Sequence, residues 1–289
     1  MPYTPGAVLD GLQASLGSVT LGAVDSEGVA WYLQTLEGWD SPEVRASWTD
    51  REGDHGAWAS PVYYGSRPIT LGGTIVAPSR VLLEQAMDQL RAAAGLTDTL
   101  LVVQESTPKQ AVVRRSGKLL IQYVTATTAS FNVLVTAADP RRYGTTLMTT
   151  TTKLPSTTGG LTLPAATPWL LSATVAAGQI DAVNDGDVET RPVLTITGPV
   201  VAPQIQAQMP DGSVRLATFS QDLASGDVLV IDTDAHTVTL NGSVSRRRFL
   251  TIPSGWPTIP AGAVTSFIFR STAYNPTATL TAAWRSAWQ

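Results

Sequence analysis

The chain has 289 residues, room for one large or two ordinary domains. With 43% apolar and 15% charged residues it can bury a sizeable core, which excludes a wholly disordered protein, and its net charge of −4 argues against a nucleic-acid binder, because phosphate contacts need a basic surface. The absence of cysteine excludes disulfides, thiolate zinc sites and cysteine nucleophiles together.

Threonine and valine are frequent and turn residues recur at short intervals, the rhythm of a mainly β protein. The opening "MPYTPGAVLDGLQ" has no basic segment followed by an apolar run, so no signal peptide is expected. No apolar run reaches the roughly 18 residues of a membrane span, and no membrane insertion is expected. Residues 18–24 and 29–39 read as strands.

Next comes "WTDREGDHGAW" (48–58), the most chemically crowded stretch of the chain. Asp50, Glu52, Asp54 and His55 have no helical register to hold ligands on one face, and no second histidine lies near in sequence. A glycosidase pair needs a fixed carboxylate separation, which a glycine-flanked loop does not provide. The stretch therefore reads as a polar connection between two strands, with Trp48 and Trp58 anchoring its ends in a core or an interface. Trp48, Arg51, Asp54, His55 and Trp58 are the candidate assembly contacts.

Residues 61–78 read as a long strand or hairpin, with Gly72 and Gly73 as a bulge or bend. A helix follows. Ser79 is placed to cap it, Gly95 to stop it, and Leu82, Leu83, Ala86, Met87, Leu90 and Ala94 recur at three- and four-residue steps, a core-facing stripe. Strands at 99–106, 110–115, 118–127 and 129–139 form a meander. Residues 139–168 are rich in Thr, Pro and Gly without sustained periodicity, a linker or strand-and-loop excursion that marks a domain boundary. Beyond it, strands at 173–185, 191–198, 202–209, 227–242 and 263–272 suggest a sandwich.

Within "IDTDAHTVTLNG" (231–242), Asp232, Asp234 and His236 would share a face if the stretch were one strand. It reads instead as a hairpin, with "TDAH" as the turn. The basic clusters Arg114-Arg115, Arg141-Arg142 and Arg246-Arg247-Arg248 read as solvated turns or ion pairs. Among the eight tryptophans, Trp169, Trp256, Trp284 and Trp288 are candidates for stacking on sugars; in β proteins such residues also fill cores and interfaces. The spacing of Trp284 and Trp288 fits one face of either a helix or a strand. No phosphate loop, no G-x-S-x-G elbow and no H-E-x-x-H occurs, so no catalytic residue, metal or cofactor is expected and the protein is not expected to be an enzyme.

The order of these weak signals resembles a known family. "YYGSRPITLGGTIVAP", one amphipathic helix, a meander and a closing "AADPRRYG" are similar to the N-terminal belt domain of the distal tail proteins of long-tailed, non-contractile bacteriophages. "NDGDVETRPVLTITGPVVAPQIQ" and "SGDVLVIDTDAHTVTLNG" are similar to that family's second domain. The resemblance implies a mainly β chain: a belt domain at 1–143 (a β-barrel or sandwich with one helix), a linker or strand excursion at 144–169 and a galectin-like β-sandwich at 170–289. It also implies a structural virion protein, a minor tail protein assembled in the bacterial cytoplasm. Such proteins form a ring, usually a hexamer, at the tail tip, continuing the DNA channel and linking the tail tube protein to the tail hub and to fibres or receptor-binding proteins. A mildly acidic chain suits a channel that passes DNA without holding it. The alternative is a carbohydrate-binding module for host-surface attachment.

Overall fold

The computed structural model describes residue 9, residues 11–159 and residues 173–289. The chain is mainly β and divides into two compact units, one running to Thr145 and the other from Thr146 to Trp288. Among the described residues there is one α-helix, and no helix is long and apolar enough to cross a membrane.

Unit 1 contains β1 (Ala14–Leu16), β2 (Val19–Leu21), β3 (Ala23–Val24), β4 (Ala30–Glu37), β5 (Val44–Arg45), β6 (Trp48–Asp50), β7 (Ala57–Ala59), β8 (Tyr63–Tyr64), β9 (Arg67–Val76), helix α1 (Arg80–Ala93), β10 (Thr99–Val103), β11 (Lys109–Arg115), β12 (Leu120–Tyr123), β13 (Thr128–Ala137) and β14 (Arg142–Gly144). Its main sheet runs β2-β1-β10-β11-β13-β9-β4-β3, with β12 added to β13 and β14 to β11. The path begins and ends in one short stretch of chain, because β2 and β3 are separated only by Gly22. The stretch 18–24, expected as one strand, is therefore two half-strands that serve opposite ends of the sheet and curl it upon itself. Gly22 makes the break possible: its φ is +84°, and a Cβ there would lie 2.2 Å from the carbonyl oxygen of Leu12.

Alternation along β9 and β13 sends Ile69, Leu71, Ile75, Phe131, Val133 and Val135 into the core. Helix α1 adds Leu83, Ala86, Met87 and Leu90 to the same core. It starts where the sequence places it, with the Ser79 hydroxyl accepting from the Leu82 amide at 3.3 Å. The expected irregularity at Gly72-Gly73 lies instead on the partner strand: β9 pairs without interruption with β13, and the register slips between Leu33 and Thr35 of β4. The glycine is needed for close approach, since a Cβ on Gly73 would lie 1.9 Å from the Tyr32 carbonyl oxygen and 2.8 Å from the Phe131 ring.

Unit 2 contains β15 (Met148–Lys153), β16 (Ser156–Gly159), β17 (Ala173–Ala176), β18 (Gln179–Asn184), β19 (Val193–Thr197), β20 (Gln204–Gln208), β21 (Val214–Phe219), β22 (Val228–Asp232), β23 (Thr237–Leu240), β24 (Val244–Ser245), a 3-10 turn at Arg247–Phe249, β25 (Leu250–Thr251), β26 (Ala263–Arg270), β27 (Thr279–Trp284) and β28 (Ala287–Trp288). One sheet runs β15-β27-β19-β22-β23-β24 and a second β18-β26-β20-β21-β25. Leu194, Ile196, Leu229, Ile231 and Leu280 of the first meet Ile180, Ile205, Phe219, Phe267 and Phe269 of the second in one core, making a sandwich. Part of the expected linker is thus structural, for β15 pairs with β27 over its whole length. Three of its four threonines are exposed and only Thr152 is half-buried, so the strand lacks the apolar alternation that would have marked it, although threonine suits a pleated surface. Strands β1, β21 and β27 carry signals too short or too mixed to stand out in the sequence.

The "NDGD" stretch closes one end of this sandwich. Asn184, fully buried, donates from Nδ2 to the carbonyls of Val188, Ile259 and Pro260 at 2.7, 3.2 and 3.1 Å. Its Oδ1 accepts from the amides of Gly186 and Ala287, both at 3.1 Å. The side chain satisfies loop groups that would otherwise be buried without partners.

Because Gly73 faces a carbonyl and a ring at once, Gly73→Ala is expected to destabilise unit 1 by about 2 kcal/mol or more. Urea unfolding followed by circular dichroism would check this; an unchanged midpoint would mean that β4 yields freely.

Candidate functional site

Between Trp39 and Arg67 the chain leaves the core of unit 1 and returns as a two-stranded arm. Two short ladders build it in succession, β5 with β8 and then β6 with β7. Bonds between them keep the strands together: Gly65 N–H to Glu43 O (2.7 Å), Ser60 N–H to Ser47 O (2.9 Å) and Ser47 N–H to the Ser60 hydroxyl (2.9 Å). From Glu43 to the turn at Arg51 the arm extends about 25 Å at the rise of a β-strand.

Every residue from Glu43 to Gly56 is exposed, and the arm has no core of its own. Trp48 and Trp58 are 67% and 65% exposed, so this chain does not anchor them in its interior. That corrects the core half of the reading made from the sequence. Trp48 lies opposite Ala59 and Trp58 opposite Thr49, which sends the two indoles to opposite faces of the hairpin. Val44, Val62 and Tyr63 add further exposed apolar surface.

The stretch 48–58 is a strand, a turn and a strand rather than a loop throughout. Arg51 N–H donates to Gly56 O at 3.1 Å. Its guanidinium carbon sits 4.5 Å from the centre of the Trp58 ring and its Nη1 4.0 Å from Asp54. The His55 amide donates to the Asp54 carboxylate at 2.7 Å. The structure thus brings Arg51, Asp54 and Trp58 together, leaves Trp48 on the other face, and gives His55 only a backbone role.

The root of the arm is built from residues the sequence did not single out as functional. Arg67, the first residue of β9, has no exposed surface. Its Nε donates to Pro140 O at 2.8 Å, and its Nη1 to Trp39 O at 2.6 Å and Gly38 O at 3.3 Å. One guanidinium therefore ties the departing chain to the returning chain and to the segment after β13. Trp39, 4% exposed, donates its indole N–H to Glu105 at 2.6 Å. Glu105 also pairs with Lys109 and, at 3.5 Å, with Arg142. Burial opposes ionisation of Glu105, but the hydrogen bonds from Lys109 and Trp39 and the charges of Lys109 and Arg142 outweigh it and hold the carboxyl below its ordinary value.

In unit 2, Asp232, Asp234 and His236 form the expected hairpin. Asp232 accepts from the amides of Asp234 and Ala235, both at 2.9 Å, and β23 returns from Thr237. Among the described residues no cluster of His, Asp or Glu could hold a metal ion. The tryptophans proposed for sugar stacking separate. Trp284 is 5% exposed and donates to Val183 O at 2.7 Å from within the core, which corrects its assignment: no sugar can reach it. Its place on β27 also decides between helix and strand. Trp256 is stacked at 4.6 Å on His236, with the Arg247 guanidinium 4.9 Å from its ring centre, so part of its aromatic surface is already engaged and only a half-buried rim remains. Trp288 is half-buried on β28, and Trp169 lies outside the described residues.

Residues 185–288 match the family described as siphovirus-type tail component, C-terminal domain. The match covers less than half of the chain and lies within unit 2, which is similar to that C-terminal domain. The crystal structure of SPP1 Dit (gp 19.1), described as a paradigm of the hub adsorption apparatus in Gram-positive-infecting phages, has a similar fold. Its TM-score is 0.62 at 12% identity, covering 89% of this chain and 93% of that one. The phage P2 baseplate in its activated conformation with Ca gives a TM-score of 0.46 at 11% identity, over 91% of this chain and 99% of that one. No protein among the curated sequences matches the chain.

Removing the Arg67 side chain leaves three carbonyls without their donor, so Arg67→Ala is expected to cost roughly 3 kcal/mol or more. Amide exchange should quicken where β4 meets β9 near Glu37 and Thr70 and stay unchanged in unit 2. Exchange unaltered at the root would refute the clamp. Glu105 has a lowered folded-state value, so its stabilisation is complete above the ordinary carboxylate value of about 4.3 and is lost as pH falls through the lower folded value. Unfolding midpoints of the wild type and Glu105→Gln should differ near neutral pH and draw together as the pH falls below the ordinary carboxylate value. A gap that persists in acid would show that the carboxylate charge is not what matters.

Proposed function

We propose that this protein is a ring-forming subunit, six to a ring, at the distal end of the tail, where unit 1 closes the ring and the arm at 43–65 contacts the neighbouring copy. The observation that carries this reading is the arm itself. It displays Trp48, Trp58, Tyr63, Val44 and Val62 to water with no core beneath them, while its root is tied by a buried arginine. Two indoles two-thirds exposed present on the order of 300 Å² of apolar surface. Covering that area is worth roughly 7 kcal/mol before the costs of association. A partner that covers both faces of the hairpin meets the geometry better than one flat surface does.

The family match supports a structural role in the virion and the fold supports a hub position, with the tail tube protein on one side and the tail hub protein and fibres or receptor-binding proteins on the other. The net charge of −4 suits a lumen that passes DNA without retaining it.

Light scattering with negative-stain imaging tests the reading. The wild type should form rings with the mass of six chains. The double variant Trp48→Ala/Trp58→Ala should fall to monomers yet melt within a few degrees of the wild type, because both side chains are exposed. If both proteins stay monomeric even when mixed with tube and hub proteins, the ring reading fails.

A further inference from the structure

Several arginines of this chain have a carboxylate. Arg114 pairs with Asp98 at 2.8 Å, Arg80 with Glu84 at 2.9 Å, Arg191 with Asp234 at 3.0 Å and Arg142 with Glu105 at 3.5 Å. The run Arg246-Arg247-Arg248 differs, for among the described residues none of the three forms an ion pair. The reading of this run as solvated turns or ion pairs misses what the guanidinium groups do instead: all three lie over aromatic rings. Arg247 lies 4.9 Å from the centre of Trp256, and Arg246 and Arg248 lie 5.8 and 4.5 Å from the centre of Phe249.

The rings themselves are held. Phe249 packs edge-on against the buried Phe219 at 6.5 Å. Trp256 stacks on His236, and its backbone carbonyl accepts from Arg215 at 2.6 Å. Arg246 and Arg248 share one ring, so their guanidinium carbons lie at most about 10 Å apart. The acid nearest in effect, Asp227, spends its carboxylate on Asn241 and the Ala224 amide, both at 2.9 Å. The Nε of Arg246 is buried with no hydrogen-bond partner.

We infer that Arg246, Arg247 and Arg248 form a binding site for the phosphodiester groups of a polyol- or sugar-phosphate polymer. Arg247 spends one Nη1 bond on the Leu250 carbonyl at 3.0 Å, and the Arg246 Nε is buried, yet none of the three guanidinium groups is neutralised by a carboxylate; a guanidinium backed by a ring can turn its remaining N–H groups to the oxygens of one anion, and that planar fork fits phosphate. The half-buried rims of Phe249 and Trp256 lie beside the charges and offer apolar surface to the carbons between successive phosphates. An acidic peptide places its carboxylates on flexible stems and does not need that alternation. Double-stranded DNA asks for a broad basic surface, which a chain of net charge −4 lacks. The site extends the proposed role at the tail tip, which would set several copies side by side and turn modest single-site affinity into firm attachment. Its chemistry does not depend on that role.

The full-length chain titrated calorimetrically with poly(glycerol phosphate) at several salt concentrations provides the test. Binding is expected to weaken with salt at a log–log slope of about −2, as for three contacts on a flexible polyanion. Arg246→Ala/Arg247→Ala/Arg248→Ala should lose at least tenfold in affinity, and Arg247→Lys/Arg248→Lys should fall between. Arg114→Ala, whose guanidinium is already paired, should change nothing. Each protein should keep the wild-type mass in light scattering. No binding by the wild type, equal binding by the triple variant, or tighter binding of DNA or polyglutamate would overturn the inference. So would a triple variant that no longer assembles, since the cluster would then be a subunit contact. A wild type that binds polymer but never assembles would overturn the ring reading alone and leave the site standing.

Discussion

Arg67 is a cation enclosed by protein and held by main-chain oxygens. Charge of this kind is costly to bury, and it persists because each carbonyl it meets would otherwise be stranded in the same dry place. The three carbonyls belong to segments far apart in sequence, at residues 38–39 and 140, and the arginine itself opens the longest-paired strand of unit 1. The arrangement fixes where the sheet ends and the arm begins. The neighbouring network of Trp39, Glu105, Lys109 and Arg142 fastens the same corner through side chains.

The consequence is a division of labour within unit 1. The curled sheet and its helix bury their apolar side chains in one shared core. The arm buries almost nothing, and its strands hold together by backbone hydrogen bonds and the Arg51–Trp58 stack. A two-stranded ribbon of that kind is marginal in water, so its direction has to come from the root. In unit 2 the functional chemistry is also carried on ordered aromatic supports, with Phe249 and Trp256 setting the arginine run rather than leaving it loose in solvent.

The sequence revealed much of this frame. Helix α1 was legible because capping and periodicity agreed, and the Asp232 hairpin because aspartate turn chemistry is local. The break at Gly22 was not, since nothing local distinguishes one seven-residue strand from two halves assigned to opposite ends of a sheet. Gly72 and Gly73 signalled irregularity, but whether a glycine bends its own strand or admits a neighbour's backbone is settled by the partner. The spacing in the stretch 48–58 argued for a connection between strands, and the hairpin there agrees, yet the fate of Trp48 and Trp58 depended on burial, which composition does not give. Arg67 was visible only as part of a family-like string, because a buried and an exposed arginine look alike in sequence. For the run at 246–248 the missing information was whether a carboxylate lay within reach, a long-range fact.

The short ladders of the arm carry one more implication. Each of the four strands β5 to β8 is paired on one side only, so its outward amides and carbonyls are a template on which another chain can add itself, correctly or otherwise. A newly made subunit carries that template before any neighbour arrives. The crowd of charges at the tip, Asp50, Arg51, Glu52 and Asp54, then has a physical consequence: ionised side chains at the end of an open ribbon discourage indiscriminate β-pairing. In these terms the charged tip is placed where a gatekeeper against aggregation would stand.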